Sequence, residues 1–310
     1  MFRPSRTSVH ALIVMLSTAL VGVVAVPAQA LGSAPAAAVH SVATPARVAQ
    51  SMPAGESVGV RSLGAATGMS VGKVSTFAGS GGTATAAGTG VAAVLNAPSA
   101  SVVSGTALYV AGPDYVSRTT LTGAVVTIAG LPGTSGCLDG PAGTARFSRA
   151  TAIAADSQFV YTSSSCGLRK TSIADLSTTT VSTTVALRSM VAPGDGYVYA
   201  VLDYQSIYRV DVATGVLTPW ASVPGGCGGG ALYGITSDGT SIFVVEEELN
   251  CSGYESGRVL WKVSLATGAT AAVVEDPRLA TTALLAQGGF VYVRMDIPIC
   301  TGMGCGNPTL

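Results

Sequence analysis

Two stretches of this chain carry one pattern twice. VSTFAGSGGTATAAGTGVAAVLNAPSASVVSGTALYV begins at Val74, and VVTIAGLPGTSGCLDGPAGTARFSRATAIAADSQFVY begins at Val125. Each opens on a β-branched run ending in Ala-Gly and passes through a Gly-rich loop. It then reaches Ala93-Val94-Leu95-Asn96 or Ala145-Arg146-Phe147-Ser148 and continues into an apolar strand. That strand recurs at GYVYAV, SIFVVE and GFVYVR. Taking Tyr109, Val160, Tyr199, Phe243 and Tyr292 as its central residues, the spacings by subtraction are 51, 39, 44 and 49. Second strands end in the Thr-Gly turns at Thr122, Thr214 and Thr267, after which a β-branched run resumes. Four short strands per period of roughly 40–50 residues is the pattern of a propeller blade. One blade cannot bury both its faces, whereas stacked neighbours bury each other's. A β-sandwich also has evenly spaced strands but does not require one four-strand unit to recur.

The expected fold is therefore all-β, a β-propeller of four-stranded blades. Four units are complete and the fifth stops after its second strand. Residues 74–79 read as an outermost strand that precedes the first inner one. About five blades follow, with this N-terminal strand completing the last blade and removing an open edge. An incomplete six-bladed propeller is the alternative. Composition agrees: only 10% of the 310 residues are charged and 6% aromatic, and the net charge is zero. Such a chain favours strands and Gly-rich turns. It carries no basic excess for nucleic acid.

The order VxTxAG, Gly-rich loop, ARF or VLN, then LYVA and a polar turn resembles the NHL-repeat family of β-propellers, of the secreted bacterial type. The likeness is strong over residues 74–175 and fades to a generic propeller pattern over 176–300. Where that family's turn carries Asn-His before a basic residue, this chain has residues 112–118 (GPDYVSR) and 164–169 (SSCGLR), which keep the Arg and lack the Asn-His. The resemblance implies the fold; propellers host unrelated activities.

Residues 1–30 have the plan of a signal peptide: Arg3 and Arg6, an apolar run over 11–26, and the small-x-small site Ala28-Gln29-Ala30. Residues 31–70 are rich in Ala, Pro and Ser and poor in large apolar side chains, the composition of a flexible linker. Residues 71–310 form the expected propeller domain. No later stretch is long and apolar enough to span a bilayer. The expected location is secreted or associated with the cell envelope.

Both histidines, His10 and His40, lie outside the expected domain. That removes histidine-based nucleophilic and general-base schemes from it. Six cysteines fit an oxidising compartment. Among the about 15 pairings that six allow, Cys137 with Cys166 and Cys227 with Cys251 are preferred, because each pair occupies two connections at one end of one blade. Cys300 and Cys305 are left for a small terminal loop. Asp114, Asp203 and Asp296 follow second strands at that same end, as do Glu246, Glu247 and Glu248. Asp in a tight turn commonly bonds its own backbone, and a charge run is commonly solvated surface.

The reading is a secreted, monomeric, non-enzymatic binding or scaffold propeller. Its expected partner is an extracellular protein or glycan, met by Asp114, Asp203, Tyr204, Glu246, Glu247, Glu248 and Tyr254 on the disulfide-bearing face. The end with the Thr-Gly turns is expected to contribute little. No cofactor is expected and no metal ligands are assigned. The alternative is a hydrolase or lactonase using calcium, a metal that carboxylates and carbonyls suffice to hold.

Overall fold

The computed structural model describes residues 24–27, 61–62, 76–80, 82, 84–202, 205–225, 230–249, 255–277, 279–287, 289–295, 299–301 and 304–306. The fold is an all-β propeller. Two short strands come first, β1 (Val24–Pro27) and β2 (Arg61–Ser62). The first blade holds β3 (Gly88–Thr89), β4 (Ala100–Ser104), β5 (Ala107–Ala111), β6 (Tyr115–Thr120) and β7 (Ala124–Gly130), in the spatial order β3-β7-β6-β5-β4. The second holds β8 (Ala152–Ala155), β9 (Phe159–Ser164), β10 (Gly167–Ser172) and β11 (Thr178–Ser182), in sequence order.

A third four-stranded sheet contains β12 (Met190–Val191), β13 (Tyr197–Val201), β14 (Ser206–Asp211) and β15 (Leu217–Ser222). The fourth contains β16 (Gly230–Ser237), β17 (Ser241–Leu249), β18 (Glu255–Ser264) and β19 (Thr270–Glu275). In the last, β20 (Leu279–Gln287) and β21 (Phe290–Met295) are followed spatially by β1 and then β2. A hairpin of β22 (Ile299–Thr301) and β23 (Gly304–Gly306) ends the described chain, with Cys300 and Cys305 as backbone partners. The chain forms two compact units: Val74–Val198 with Val210–Leu217, and Tyr199–Arg209 with Thr218–Leu310 and the two N-terminal strands.

Blades pack face to face through small and β-branched side chains. Between the first two, Tyr109, Ala111, Val116, Ile128 and Ala129 meet Ala145, Phe147, Ala150, Ile153 and Val160. The alanines let the sheets approach closely, and each large buried side chain contributes about 1.5–3 kcal/mol. In the other unit, Phe243, Val245 and Leu260 pack against Leu279, Val291 and Val293. Glycine is required where turns press on neighbouring backbone. Gly130 has φ +84° and a Cβ there would lie 2.2 Å from the Asp114 carbonyl oxygen; at Gly167, φ +87°, it would lie 2.0 Å from that of Ser182.

The repeat is visible bond for bond. Ser99 N donates to Ala111 O and Thr151 N to Ser163 O, both at 2.8 Å. The isolated bridges Ala86–Val94 and Leu138–Arg146 also correspond. All these pairs are offset by 52 residues (151 less 99, 138 less 86). Tyr109 therefore matches Tyr161 and not the expected Val160, and Arg118 matches Lys170 and not Arg169. The Gly-rich loops differ in length by one residue, which hides this shift in the alignment of VxTxAG.

The last sheet is completed from the N-terminal side, but by different residues from those expected. Val24, Ala25, Val26 and Pro27 pair with Val293, Tyr292, Val291 and Phe290, and β2 covers β1. The described part of residues 74–79 lies instead against the first blade. Gly79 N donates to Gly90 O at 3.0 Å, and the Phe77 carbonyl lies 2.9 Å from where a Cβ on Gly123 would sit. Gly79, with φ +98°, turns the chain out of strand geometry.

Candidate functional site

At the disulfide-bearing end, Cys137 and Cys166 are bonded, joining the loop before β8 to the β9–β10 turn. Arg169 ties the same loop. Its side chain is buried, stacks 4.7 Å from the Phe147 ring centroid, and donates to Asp139 and to the carbonyls of Leu138 and Arg146. Burial pushes the Asp139 carboxyl up, but hydrogen bonds from Thr180 and Arg169 outweigh it and hold the group below its ordinary value.

The expected ligand-facing carboxylates divide. Asp114 is 7% exposed and its Oδ2 accepts from Gly133 N at 2.7 Å, which fixes the loop after β7. Glu246 is fully buried and its Oε2 accepts from Trp261 Nε1 at 2.7 Å. Both therefore hold the fold and neither faces solvent, a correction to their expected role. Glu246 and Glu247 are consecutive in β17, so they point to opposite faces. Glu247 is partly exposed, 3.9 Å from Arg258. Asp203, Tyr204, Tyr254, Asp296, Cys227 and Cys251 lie outside the described residues, as do the side chains of Glu248, Cys300 and Cys305. No three acidic, cysteine or histidine side chains gather to hold a metal among the described residues.

A groove of about 610 Å³ opens at the other end, between the first two blades. Its walls are the β4–β5 turn at Gly105 and Thr106, the β6–β7 turn at Leu121 and Thr122, and the β8–β9 turn at Asp156 and Ser157. This is the end expected to contribute little. Tyr109 and Arg118 are cross-strand partners on the floor, so their side chains share a face. No described residue accepts a hydrogen bond from Arg118, and its Nε is buried. Asp156, by contrast, is engaged: Oδ1 accepts from the backbone N–H groups of Gln158 and Phe159, and Oδ2 from the Tyr161 hydroxyl at 2.9 Å.

The second blade shows what Arg118 lacks. Lys170, its counterpart, donates to Val212 O at 3.1 Å and lies over the Phe159 ring. Val212 and Ile173 are themselves equivalent, since their N–H groups donate to Gly196 O and Gln158 O in matching turns. The acceptor that Lys170 finds at Val212 thus has its counterpart at Ile173, on the groove wall, and Arg118 does not take it. Tyr161 likewise finds Asp156, whose counterpart 52 residues earlier is Ser104. Burial and the Asp156 hydrogen bond push the Tyr161 hydroxyl up, so it stays a donor. Reading the repeat with the 52-residue offset would have exposed the Arg118–Lys170 and Ser104–Asp156 differences in the sequence.

No family model matches the chain, and no curated protein matches it. Among solved structures it is similar to an extracellular domain from Bacteroides thetaiotaomicron, at 12% identity and a TM-score of 0.43, covering 68% of this chain and 29% of that one. An auxiliary nutrient binding protein from the same organism gives 8% and 0.37, over 60% and 42%. Oligogalacturonate lyase in complex with manganese gives 10% and 0.41, over 58% and 53%. The chain thus spans between 29% and 53% of their lengths. Likenesses this distant carry no argument about activity, and the propeller assignment rests on the sheets themselves. No described helix is long and apolar enough to cross a membrane.

Proposed function

We propose that the chain is a secreted, non-enzymatic binding propeller of the NHL type, monomeric, that recognises an extracellular glycan or protein. The observation that carries this reading is the groove between the first two blades, which is concave, lined by hydroxyls and holds a cation with no partner among the described residues. Ligand sites take this form, an open shape with a few convergent polar groups. The groove replaces Asp114 and Glu246 as the surface that meets the ligand, because those two carboxylates already serve the fold. Residues 1–30 serve as the export signal, 31–70 as the linker and 71–310 as the propeller in this reading. Cleavage after Ala30 removes β1, so the exported form carries the last sheet without it.

The calcium-dependent hydrolase needs several acidic side chains free to converge. Asp114 and Glu246 are committed elsewhere, and Glu247 lies beside Arg258. The test is to purify the exported protein, sequence its N-terminus and screen it against envelope glycans and ester or lactone substrates, with and without chelator. A chain starting at Leu31 that binds without turnover, regardless of chelator, is expected. Chelator-sensitive turnover would overturn the reading.

A further inference from the structure

We infer that the groove between the first two blades takes a carboxylate-bearing sugar, with Arg118 as the residue that meets the carboxylate. The inference rests on the binding reading above and specifies its ligand. Its starting point is the difference between the two blades: the cation of the second is matched to Val212 O, whereas that of the first is matched to nothing described. A half-buried guanidinium with its Nε shielded from water lacks the hydration a surface Arg has. An anion restores that loss by a planar, two-point contact that a carboxylate fits well.

Charge restricts the anion further. Among the described residues Arg118 is the one cation on the groove wall, and Asp156 adds a negative charge at the rim. These two charges sum to zero, so a monoanion leaves one net negative charge in the groove where a phosphate dianion leaves two, and the second would sit beside Asp156 with no cation to offset it. The remaining lining selects a hydroxylated, ring-shaped body. Thr106 and Ser157 offer exposed hydroxyls, while Ala107, Leu121 and Ile173 provide apolar surface for the C–H face of a pyranose. The volume, about 610 Å³, lies within the roughly 300–1,000 Å³ range of small-ligand sites.

Titration calorimetry on the full exported chain tests this with three probes: glucuronic acid, glucose and glucose 6-phosphate. Glucuronic acid is expected to bind at least about tenfold more tightly than either other probe. Arg118→Gln should reduce its affinity to that of glucose, Arg118→Lys should keep part of it, and Ser157→Trp, at an exposed wall position, should abolish it. Unchanged glucuronate affinity in Arg118→Gln, or tighter binding of the phosphate, overturns the inference. Should Arg118→Gln fail to fold, judged by its melting midpoint, glucuronate binding that survives Ser157→Trp overturns it instead. Equal binding of glucose and glucuronic acid, both lost in Ser157→Trp, leaves the binding reading standing and removes the carboxylate. Failure of all three probes also overturns the inference, and chelator-sensitive turnover in the same preparation would remove the binding reading with it.

Discussion

In the second blade Lys170 reaches the Val212 carbonyl and Tyr161 reaches Asp156; in the first, Arg118 and Tyr109 occupy the same two positions and reach neither. The backbones correspond at a constant offset, so the contrast comes from side chains alone. It extends to the other end. There the second blade clamps its long loop with Cys137–Cys166 and with Arg169 on Asp139. The first blade uses one buried tyrosine, Tyr115, whose hydroxyl donates to Asn96 O at 2.9 Å. Burial, with help from the Asp114 charge, pushes that hydroxyl up to about 12, so it remains a neutral donor. One blade has partners for its cation and its tyrosine, and its neighbour leaves the corresponding cation without one among the described residues. A scaffold built by repetition can be rigid in one unit and receptive in the next, because the repeat fixes the backbone and leaves the side chains free to differ.

The sharpest way to break the contrast is to remove the second blade's clamp. Arg169→Met should cost about 3–5 kcal/mol, chiefly because the Leu138 and Arg146 carbonyls lose a charged donor together; the half-exposed Asp139 carboxylate can turn to water and adds little. Denaturant unfolding checks it, and a loss under 1 kcal/mol would show that the loop is held by something else. Next is the paired change Cys137→Ser and Cys166→Ser. It reopens a connection of 29 residues and should lower stability by about 3 kcal/mol. A loss at least as large should follow reduction of the wild type, which also opens any bridge among the other four cysteines. Tyr115→Phe is the first blade's counterpart and should cost about 1 kcal/mol, the usual net worth of one hydrogen bond. Were it to cost more than Arg169→Met, the two blades would have to be ranked the other way.

The smallest effect is acid dependence. The Asp139 carboxyl is depressed in the folded chain, so its contribution is complete above its ordinary value near 3.8 and is lost as pH falls through the lower folded value. Asp139→Asn should therefore narrow its stability gap to the wild type below about pH 4. A gap that widens there would contradict the direction of the shift.

The fold class and the Cys137–Cys166 bridge were legible in the sequence, because a recurring strand pattern and two cysteines at matched connections leave few arrangements. The register was not. A one-residue slip between Val160 and Tyr161 turns a strand over, and both residues are buried, so hydrophobic pattern could not separate them. The same slip hid the equivalence of Arg118 with Lys170, and with it the groove. Glu246 was misplaced for a related reason: three acids in a row read as surface until cross-strand neighbours bring Trp261 within reach of one of them. The strand that completes the last sheet also escaped, since residues 24–27 carry the apolar pattern of an export signal as well as that of a strand.

The central claim, that the opening between the first two blades is the ligand site, is tested most directly by amide chemical-shift mapping of the isotope-labelled protein titrated with glucuronic acid. The account predicts saturable shifts at Gly105, Thr106, Arg118, Leu121 and Ser157, absent in Arg118→Gln. Shifts gathered instead around Gly133, Cys166 and Glu247, or persisting unchanged in Arg118→Gln, would contradict it.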